Sequence, residues 1–310
     1  MKIAVLMLVH KNVDQVNRLL SYFQHENVDV FIHIDKKSPI NPEEIKAPNV
    51  YFTSRRYDIE LFEFSMVDAE MELLRRAKQQ GTYGYYILMS GQCYPLMDIG
   101  KMYNYLCSHY PEPFIEIVAP TEKNYVKTNF RHVYILKRFK LRTYAFLKRR
   151  FSYKMYRILR YIPGGFVFLV SGIKELFVKS PKTRLSRKGW PSYCGSQWWI
   201  LPDPVIDRAM ELYRDEEFCR IVSDCFSCDE TFFQTAMMIH QEENGITLDE
   251  QGNFMNRKWF FIFDHGHPII LTKEHYDQIQ SSGMLFARKF DTKTDTEILD
   301  MLDMDRKESV

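Results

Sequence analysis

The sequence of 310 residues lacks the short motifs that mark several large enzyme classes. It contains no GxxxxGK(S/T) loop and no GxGxxG turn, so the P-loop and dinucleotide-binding classes lose their main support. HExxH, GxSxG and clusters of His and Cys at metal-ligand spacing are absent too. No run approaches the roughly 18–20 uninterrupted apolar residues of a membrane-spanning helix, which excludes a polytopic membrane protein. Carboxylates, paired cations and tryptophans remain as candidates for chemistry.

The cysteines do not suggest a disulfide framework or a zinc site. The six cysteines have no regular spacing, and only Cys225 and Cys228 form a CxxC pair, without a second pair to complete a zinc site. We therefore expect buried free thiols in a reducing compartment. The apolar run Ile3–Val9 is short and has no small-residue cleavage site, so it predicts a buried first strand rather than a signal peptide. A cytoplasmic protein is the resulting expectation.

The composition is that of a globular protein. A hydrophobic fraction of 45% and a charged fraction of 26% exclude wholesale disorder and a coiled coil. Aromatic residues reach 15%, which suits a surface that binds sugars, bases or lipids as well as a core. The length fits one large α/β domain or two modest ones.

Acidic residues are nearly missing from one segment, residues 131–188. This segment holds 17 of the 42 Lys and Arg residues and one of the 40 acidic residues, so it carries a formal charge of +16 and the rest of the chain −14. Tyr, Phe and Leu alternate with the bases. The chain is thus an acidic body with a basic, aromatic insertion that we expect to be helical.

Short apolar runs alternate with amphipathic stretches through the first 120 residues. They predict strands over Ile3–Val9, Val28–Ile34, Val50–Thr53 and Tyr85–Ser90. Helices are predicted over Asn12–Phe23 and Ser65–Gln80, the second starting at a capping pair of Ser65 and Asp68. This alternation predicts an α/β fold with a mostly parallel sheet and helices on both faces.

Ligands bind such sheets beyond the carboxyl ends of the strands. The residues that follow strand ends are His10, Asp35, Arg55–Arg56 and Ser90–Gly91.

The α/β pattern returns after the insertion. The predicted elements are a strand over Cys194–Leu201, helices over Pro204–Tyr213 and Asp229–His240, a strand over Trp259–Asp264 and a helix over Lys273–Ser281. The tail after Asp300 is polar and has no apolar period. The chain therefore divides into a first half over 1–130, the insertion over 131–188, a second half of the same domain over 189–300 and a polar tail over 301–310.

Two acidic residues occupy positions suited to chemistry. Asp35 follows the strand Val28–Ile34, where a carboxylate can accept hydrogen bonds from ribose hydroxyls or simply form a turn. Glu230 follows Asp229, a natural N-cap, and so falls in the first turn of a helix, where the helix dipole favours an ionised carboxylate. Such a carboxylate can act as a general base toward a hydroxyl, or both acids can merely cap the helix.

Arg288 and Lys289 form an adjacent pair of cations between two phenylalanines. The pair suits a diphosphate, with arginine binding in bidentate geometry and lysine as a point charge, although it could also be a solvated surface pair. Trp198 and Trp199 stand side by side on a predicted strand and so point to opposite faces. One is expected in the core, and the other could stack on a sugar ring, with Ser196 on the same face as Trp198.

Six segments stand out along the chain: VHK at 9–11, HIDKKS at 33–38, SGQCYPL at 90–96, GSQWWIL at 195–201, DETFFQT at 229–235 and LFARKF at 285–290. Together they resemble glycosyltransferase family 14, which contains the core 2/I-branching N-acetylglucosaminyltransferases and the protein O-xylosyltransferases. Their order and approximate spacing agree with the family, and they span nearly the whole chain apart from the insertion and the tail. The chain is identified by this resemblance as a bacterial-type member.

The resemblance implies a GT-A-like fold, inversion at the anomeric carbon and a UDP-sugar donor. It also implies that no metal or other cofactor is needed, and the single DxD, Asp303–Asp305, lies far away in the tail. By the same resemblance Arg288 and Lys289 take the place of the divalent ion, and Glu230 deprotonates the acceptor hydroxyl. The other residues that carry over are Val9, His10, Asp35, Ser196 and, more weakly, Arg56 for the nucleotide-sugar and Trp198 for the acceptor.

The chain departs from the family pattern at several positions. It has Leu61, Phe62 and Glu63 where Trp-Gly-Gly is usual, Gly84 where an acid often precedes the fourth strand, and Cys93 where SGxDYP has aspartate. Several of these positions flank the donor sugar in the family, so neither N-acetylglucosamine nor xylose can be assumed. A catalytically degenerate, membrane-associated protein that only binds nucleotide sugars is the alternative function.

The basic insertion predicts where such an enzyme works. Bases interleaved with Tyr, Phe and Leu are typical of interfacial helices on an anionic membrane, where each base contributes about 1 kcal/mol. With a cytoplasmic transferase body, segment 131–188 predicts peripheral attachment to the inner face of the membrane and a lipid-linked glycan acceptor in surface-polysaccharide assembly. A solvated helical hairpin and a surface for single-stranded nucleic acid are the alternatives. No nucleic-acid partner is expected.

Overall fold

The computed structural model of the protein describes residues 1–120, 180–264 and 267–308. At its centre is a five-stranded sheet in the order β3-β2-β1-β4-β7. Its strands are Ile3–Val9 (β1), Val28–Ile34 (β2), Val50–Phe52 (β3), Tyr85–Ser90 (β4) and Ile200–Pro202 (β7). The first four strands are parallel, and β7 runs antiparallel to β4. The predicted α/β class with a mostly parallel sheet is confirmed.

The two strands β1 and β2 are buried along their whole length. All seven residues of each are buried, as their continuous apolar runs lead one to expect for parallel strands covered on both sides. They pair residue for residue, from Ile3 opposite Val28 to Val9 opposite Ile34. The chain therefore leaves both strands at the same edge of the sheet.

Nine described helices flank the sheets. They are Val13–Tyr22 (α1), Phe64–Gln80 (α2), Ile99–Ser108 (α3), Pro181–Arg187 (α4), Asp203–Leu212 (α5), Glu216–Val222 (α6), Asp229–Ile239 (α7), Tyr276–Gln280 (α8) and Glu297–Glu308 (α9). Single 3₁₀ turns cover Pro42–Glu44 and Lys273–His275. The long helix α2 packs on β1 and β2.

The start of α2 differs from its prediction. Glu63 occupies the N-cap position without a side-chain capping bond. The hydroxyl of Ser65 accepts instead from the N–H of Glu60 at 3.0 Å, and the carboxylate of Asp68 accepts from Tyr213 at 2.7 Å. The predicted capping pair is therefore wrong, because both side chains bond outside the helix.

A second sheet joins distant parts of the chain. It has the order β5-β12-β9, with strands Cys93–Pro95 (β5), Trp259–Phe260 (β9) and Phe286–Arg288 (β12). Cys93 lies opposite Arg288 in the antiparallel pair of β5 and β12. Two-residue ribbons pair Glu116–Ile117 (β6) with Phe254–Met255 (β8) and Phe263–Asp264 (β10) with His267–Pro268 (β11). The second sheet thus places the SGQCYPL segment beside the LFARKF segment.

Three predicted elements of the second half are shorter than expected. The strand over Cys194–Leu201 is reduced to β7, since the N–H of Gly195 donates to the carbonyl of Glu230 at 2.9 Å rather than to a strand. The strand over Trp259–Asp264 separates into β9 and β10, and the helix over Lys273–Ser281 into a 3₁₀ turn and α8.

The C-terminal residues form a helix where we predicted a polar tail. Ile298, Leu299 and Leu302 are all at most 1% exposed, so α9 has an apolar side that packs on the body. Residues 301–308 are therefore part of a helix, and of these three apolar side chains only Leu302 lies in the segment predicted as a polar tail.

The basic segment 131–188 lies outside the described residues except for 180–188. There Arg184 pairs with Asp224 at 2.5 Å and Lys188 with Glu217 at 2.6 Å. Its last bases thus face acids of the body. Within the described ranges, no helix combines the length and the apolar character needed to cross a membrane.

Candidate active site

The carboxyl ends of β1 and β2 form one wall of the candidate site. The N–H of Asp35 donates to the carbonyl of Val9 at 2.8 Å, and the carboxylate of Asp35 accepts from the N–H of Lys37 at 2.9 Å. Val9 and Asp35 are both buried. Asp35 therefore forms the turn that was one of its two interpretations, and its contact with a ribose remains a prediction.

Arg56 shapes this wall through the backbone. Its guanidinium donates to the carbonyls of Ile34 at 3.0 Å, Asp35 at 2.7 Å and Ser38 at 2.9 Å. Three bonds to one turn hold the chain in place after β2. The structure thus gives Arg56 a supporting role, and its predicted contact with the nucleotide stays a prediction.

Four basic side chains influence one another at this edge: His10, Lys11, Arg288 and Lys289. Burial and the charge of Lys11 lower the pKa of His10, and Arg288 and Lys289 act in the same direction. Burial, Arg288 and Lys11 likewise lower the pKa of Lys289. Like charges held together disfavour each other until an anion arrives. The cation pair (Arg288 and Lys289) and the end of β1 therefore belong to one site.

Arg288 is the most unusual member of this cluster. Its guanidinium carbon lies 4.1 Å from the ring centroid of Trp198, and burial lowers its pKa although Cys93 and Glu230 act in the opposite direction. Its Nε and Nη1 atoms are buried and have no hydrogen-bond partner. Buried N–H groups nearly always have a partner in native proteins, so these two donors are available to a ligand that accepts hydrogen bonds.

The two tryptophans have separate surroundings. Trp199 is fully buried, and its ring centroid lies 4.7 Å from that of Phe233. Trp198 is 7% exposed, and one face of its ring is covered by Arg288. Because a guanidinium stacks well on an indole, Trp198 also fixes the orientation of the arginine. Its contact with an acceptor sugar remains a prediction.

Glu230 lies in the first turn of α7, as predicted, but Cys228 rather than Asp229 is the N-cap residue. Burial raises the pKa of Glu230 to about 8, and the neighbouring charges of Asp229 and Glu116 add to this effect. A hydrogen bond from Ser227 and the charge of Arg288 act in the opposite direction. The expectation of a carboxylate kept ionised by the helix dipole is therefore wrong, since desolvation and two acidic neighbours outweigh it.

A close backbone contact locks the loop before the tryptophans against α7. Gly195 donates to the carbonyl of Glu230 at 2.9 Å, and Gln234 of α7 donates to the carbonyl of Ser196 at 2.7 Å. The Ser196 hydroxyl accepts from the N–H of Trp198 at 3.3 Å. This loop thus carries Trp198 and supports the helical turn that carries Glu230.

We expect Gly195→Ala to reduce the free energy of unfolding by about 2–3 kcal/mol. A Cβ at this position would lie 1.9 Å from the carbonyl oxygen of Glu116, and a backbone atom cannot move aside cheaply. Urea unfolding measures the change. Gly81→Ala is the matched control, because a Cβ there meets no atom within 4 Å. Equal stability of the two variants would contradict the close contact.

Several residues of the site escaped the sequence analysis. Glu70 of α2 is fully buried and accepts from Gln197 at 2.8 Å, and burial together with Asp229 raises its pKa well above the usual value. Glu116 is buried and forms an ion pair with Arg257. Of these two acids, only Glu70 could have been noticed in the sequence. It lies three residues after Val67, and an acid on the apolar side of the predicted helix is unusual.

The two acids of the single DxD bond to residues that are not part of this site. Asp303 accepts from Arg18 at 2.6 Å and from the hydroxyl of Tyr94 at 2.8 Å, and Asp305 accepts from Tyr276 at 2.7 Å. Both acids therefore anchor α9.

Within residues 1–120, 180–264 and 267–308, no group of three or more His, Cys, Asp or Glu side chains is arranged to hold a metal ion.

Residues 3–152 match the family model described as Core-2/I-Branching enzyme. The chain is similar to this family over these 150 of its 310 residues. It is also 24% identical, over 324 aligned residues, to the β-1,3-galactosyl-O-glycosyl-glycoprotein β-1,6-N-acetylglucosaminyltransferase 4 of Mus musculus. That alignment covers 94% of the chain and 63% of the mouse protein, so the chain spans less than two thirds of the length of this relative.

The match to the Core-2/I-branching family covers only part of the site. Val9, His10, Asp35 and Arg56 lie within residues 3–152, whereas Glu230 and the cation pair lie beyond them. The predicted resemblance to this family is confirmed, and its bacterial type stays a prediction. The roles of the individual residues rest on the geometry described above.

Proposed function

We propose that this protein is an inverting, metal-independent glycosyltransferase with a GT-A-like body. It moves a sugar from a UDP-sugar to a hydroxyl group of a glycan acceptor. The observation that carries the proposal is the half-buried Arg288, whose Nε and Nη1 atoms are buried and unpartnered and whose charge influences the ionisation of Glu230. A cation and a base within electrostatic reach of each other are what displacement of a diphosphate by a hydroxyl requires.

The cation pair stabilises the leaving group. As the bond between the anomeric carbon and the UDP oxygen breaks, negative charge develops on the diphosphate, and preorganised donors at that point lower the barrier. The unpartnered Nε and Nη1 atoms of Arg288 suit two phosphate oxygens, and Lys289 adds a second charge. His10 is proposed to contact the same diphosphate, since the charges of Arg288 and Lys289 act on it. This arrangement serves the purpose for which many transferases use a divalent ion.

Glu230 serves as the general base. It takes the proton of the acceptor hydroxyl while the oxygen attacks the anomeric carbon from the side opposite UDP, so that the configuration inverts. A pKa of about 8 lies close to physiological pH, where a base combines sufficient ionisation with sufficient strength. Asp35, Val9 and Ser196 are proposed to contact the nucleotide-sugar, and Trp198 the acceptor.

A panel of UDP-sugars, assayed for UDP release with excess EDTA, tests this proposal. We expect turnover with at least one donor and a rate within about twofold of the EDTA-free rate, because protein cations occupy the place of the metal. Strong inhibition by EDTA would overturn the metal-independent mechanism. Absence of turnover with every donor would favour the alternative of a degenerate binding protein, for which Cys93 beside Arg288 is the relevant departure.

We further propose a lipid-linked acceptor at the inner face of the membrane, in surface-polysaccharide assembly. This part rests on the +16 charge of segment 131–188 and on the aromatic residues between its bases. Neither the mouse relative nor the family description bears on it.

We expect the full-length protein to fractionate with anionic membranes at low salt and to be released at high salt. Replacing Lys148, Arg149 and Arg150 with glutamine should reduce the bound fraction, since each base contributes about 1 kcal/mol. Deletion of 131–179, which keeps α4 and its ion pairs with the body, should abolish binding. A full-length protein that stays entirely in the supernatant at low salt would contradict the membrane proposal and leave the transferase proposal unaffected.

A further inference from the structure

The three residues after the cation pair, 290–292, are bonded to the start of α1. The side-chain amide of Gln15 spans the gap: its Nε2 donates to the carbonyls of Gly91 at 2.9 Å and Phe290 at 3.1 Å, and its Oε1 accepts from the N–H of Thr292 at 3.0 Å. Gln15 is 1% exposed. Its amide therefore satisfies three backbone groups of two separate segments that meet at the site.

Two neighbours of Gln15 extend this connection. Asn12, in the left-handed conformation at φ 59°, donates through Nδ2 to Asp291 at 3.2 Å and to the hydroxyl of Thr292 at 2.8 Å. Lys11 forms an ion pair with Asp291 at 2.7 Å. We call Lys11, Asn12 and Gln15 the α1 clamp. It connects the end of β1 directly to segment 290–292.

The charges of the site explain why a clamp is needed. Without a bound anion the cation pair and Lys11 repel one another, and Asp291 is the acid that opposes this effect at Lys289. Repulsion of this kind favours a loop that moves its cations apart. Hydrogen bonds from the start of α1 oppose that movement. The donors of the cation pair are then already in place before binding, so that they need no reorganisation when the ligand arrives.

We propose that Asn12 and Gln15 are positioning residues that hold the cation pair in its diphosphate-binding arrangement through segment 290–292. Neither residue is required to touch the donor, and neither belongs to the six segments that carry the family resemblance. The inference rests on the proposed function, since it assumes that the cation pair binds the diphosphate of UDP.

Calorimetric titration with UDP and with uridine tests the inference, because uridine lacks the diphosphate. For Gln15→Met we expect UDP to bind about tenfold more weakly, the equivalent of one or two lost hydrogen bonds, and uridine to bind within about twofold of the unaltered protein. Asn12→Gly is the second variant. It tolerates the left-handed backbone but removes the bonds to segment 290–292, and it keeps the inference testable if Gln15→Met does not fold.

Asn17→Ala is the matched control on the same helix. Asn17 also makes two backbone bonds, to the carbonyl of Glu44 at 2.9 Å and from the N–H of Lys46 at 3.0 Å, but these lie away from the cation pair. It should change neither affinity by more than about twofold. In an Arg288→Ala background the effect of Gln15→Met on UDP should shrink to about twofold or less, because the positioned group is gone.

The outcomes separate the two proposals. Failure of the unaltered protein to bind UDP would remove the proposed function and the inference together. Normal UDP binding that both clamp variants leave unchanged would overturn the inference alone. Equal loss of UDP and uridine affinity would do the same, since it would assign the α1 clamp a general structural role.

Discussion

Replacing Glu230 with glutamine is expected to lower the rate of sugar transfer by about 10²–10⁴-fold and to leave UDP affinity within about twofold. Glutamine keeps the shape of the side chain but cannot accept the proton of the acceptor hydroxyl. The rate is measured as UDP release with the best donor of the panel. Glu216→Gln is the matched control, because Glu216 is an exposed acid in the first turn of another helix, α6.

The pH dependence provides a second readout for Glu230. Its pKa of about 8 predicts that kcat/KM rises as pH increases through this value, since the base must first lose its proton. A pKa raised by folding also means that the protonated group contributes stability below its unfolded pKa and that this contribution is lost as pH rises through about 8. Glu230→Gln should remove this loss of a few kcal/mol, which falls between the ordinary glutamate pKa of about 4.5 and about 8. Unchanged turnover in the variant, or a flat profile, would exclude Glu230 as the base.

Arg288→Lys is expected to weaken UDP binding by about 10–100-fold, although the charge is retained. Lysine has neither the planar fork that matches two phosphate oxygens nor the flat surface that stacks on Trp198. Calorimetric titration with UDP and with uridine gives the affinities, and only the UDP affinity should fall.

The control for this substitution is Arg208→Lys in α5. Arg208 donates to Asn244 at 3.0 Å and lies on a helix that contributes nothing to the site, so UDP affinity should not change. If Arg288→Lys binds UDP as well as the unaltered protein does, the diphosphate is held elsewhere and the metal-independent mechanism loses its basis.

The sheet was predictable because its strands are apolar without interruption. The bounds of β1, β2 and β4 agree with the prediction, and β3 differs by one residue. Elements held by distant partners were not predictable in the same way. The loop before Trp198 depends on a bond from Gly195 to α7, and α9 depends on partners for its acids, such as Arg18 for Asp303.

The candidate site was predicted in outline only. His10 was predicted because it follows a strand end, and the cation pair was predicted from its sequence and the family resemblance. In the structure the charges of this pair act on His10. The ionisation of Glu230 could not be read from its position in a helix, because burial and the nearby Glu116 come from other parts of the chain. Gln15 left no signal, since a glutamine in a first helical turn is commonly solvated.

The antiparallel strand β7 has a consequence for synthesis of the chain. β4 ends at Ser90, and its outer neighbour begins only at Ile200, about 110 residues later. At a translation rate of about 5–20 residues per second, the ribosome needs about 5–20 s to produce that neighbour. During this interval the nascent sheet has an unpaired apolar edge, which is a template for association with other chains. Efficient production of the protein therefore depends on protecting that edge until β7 emerges.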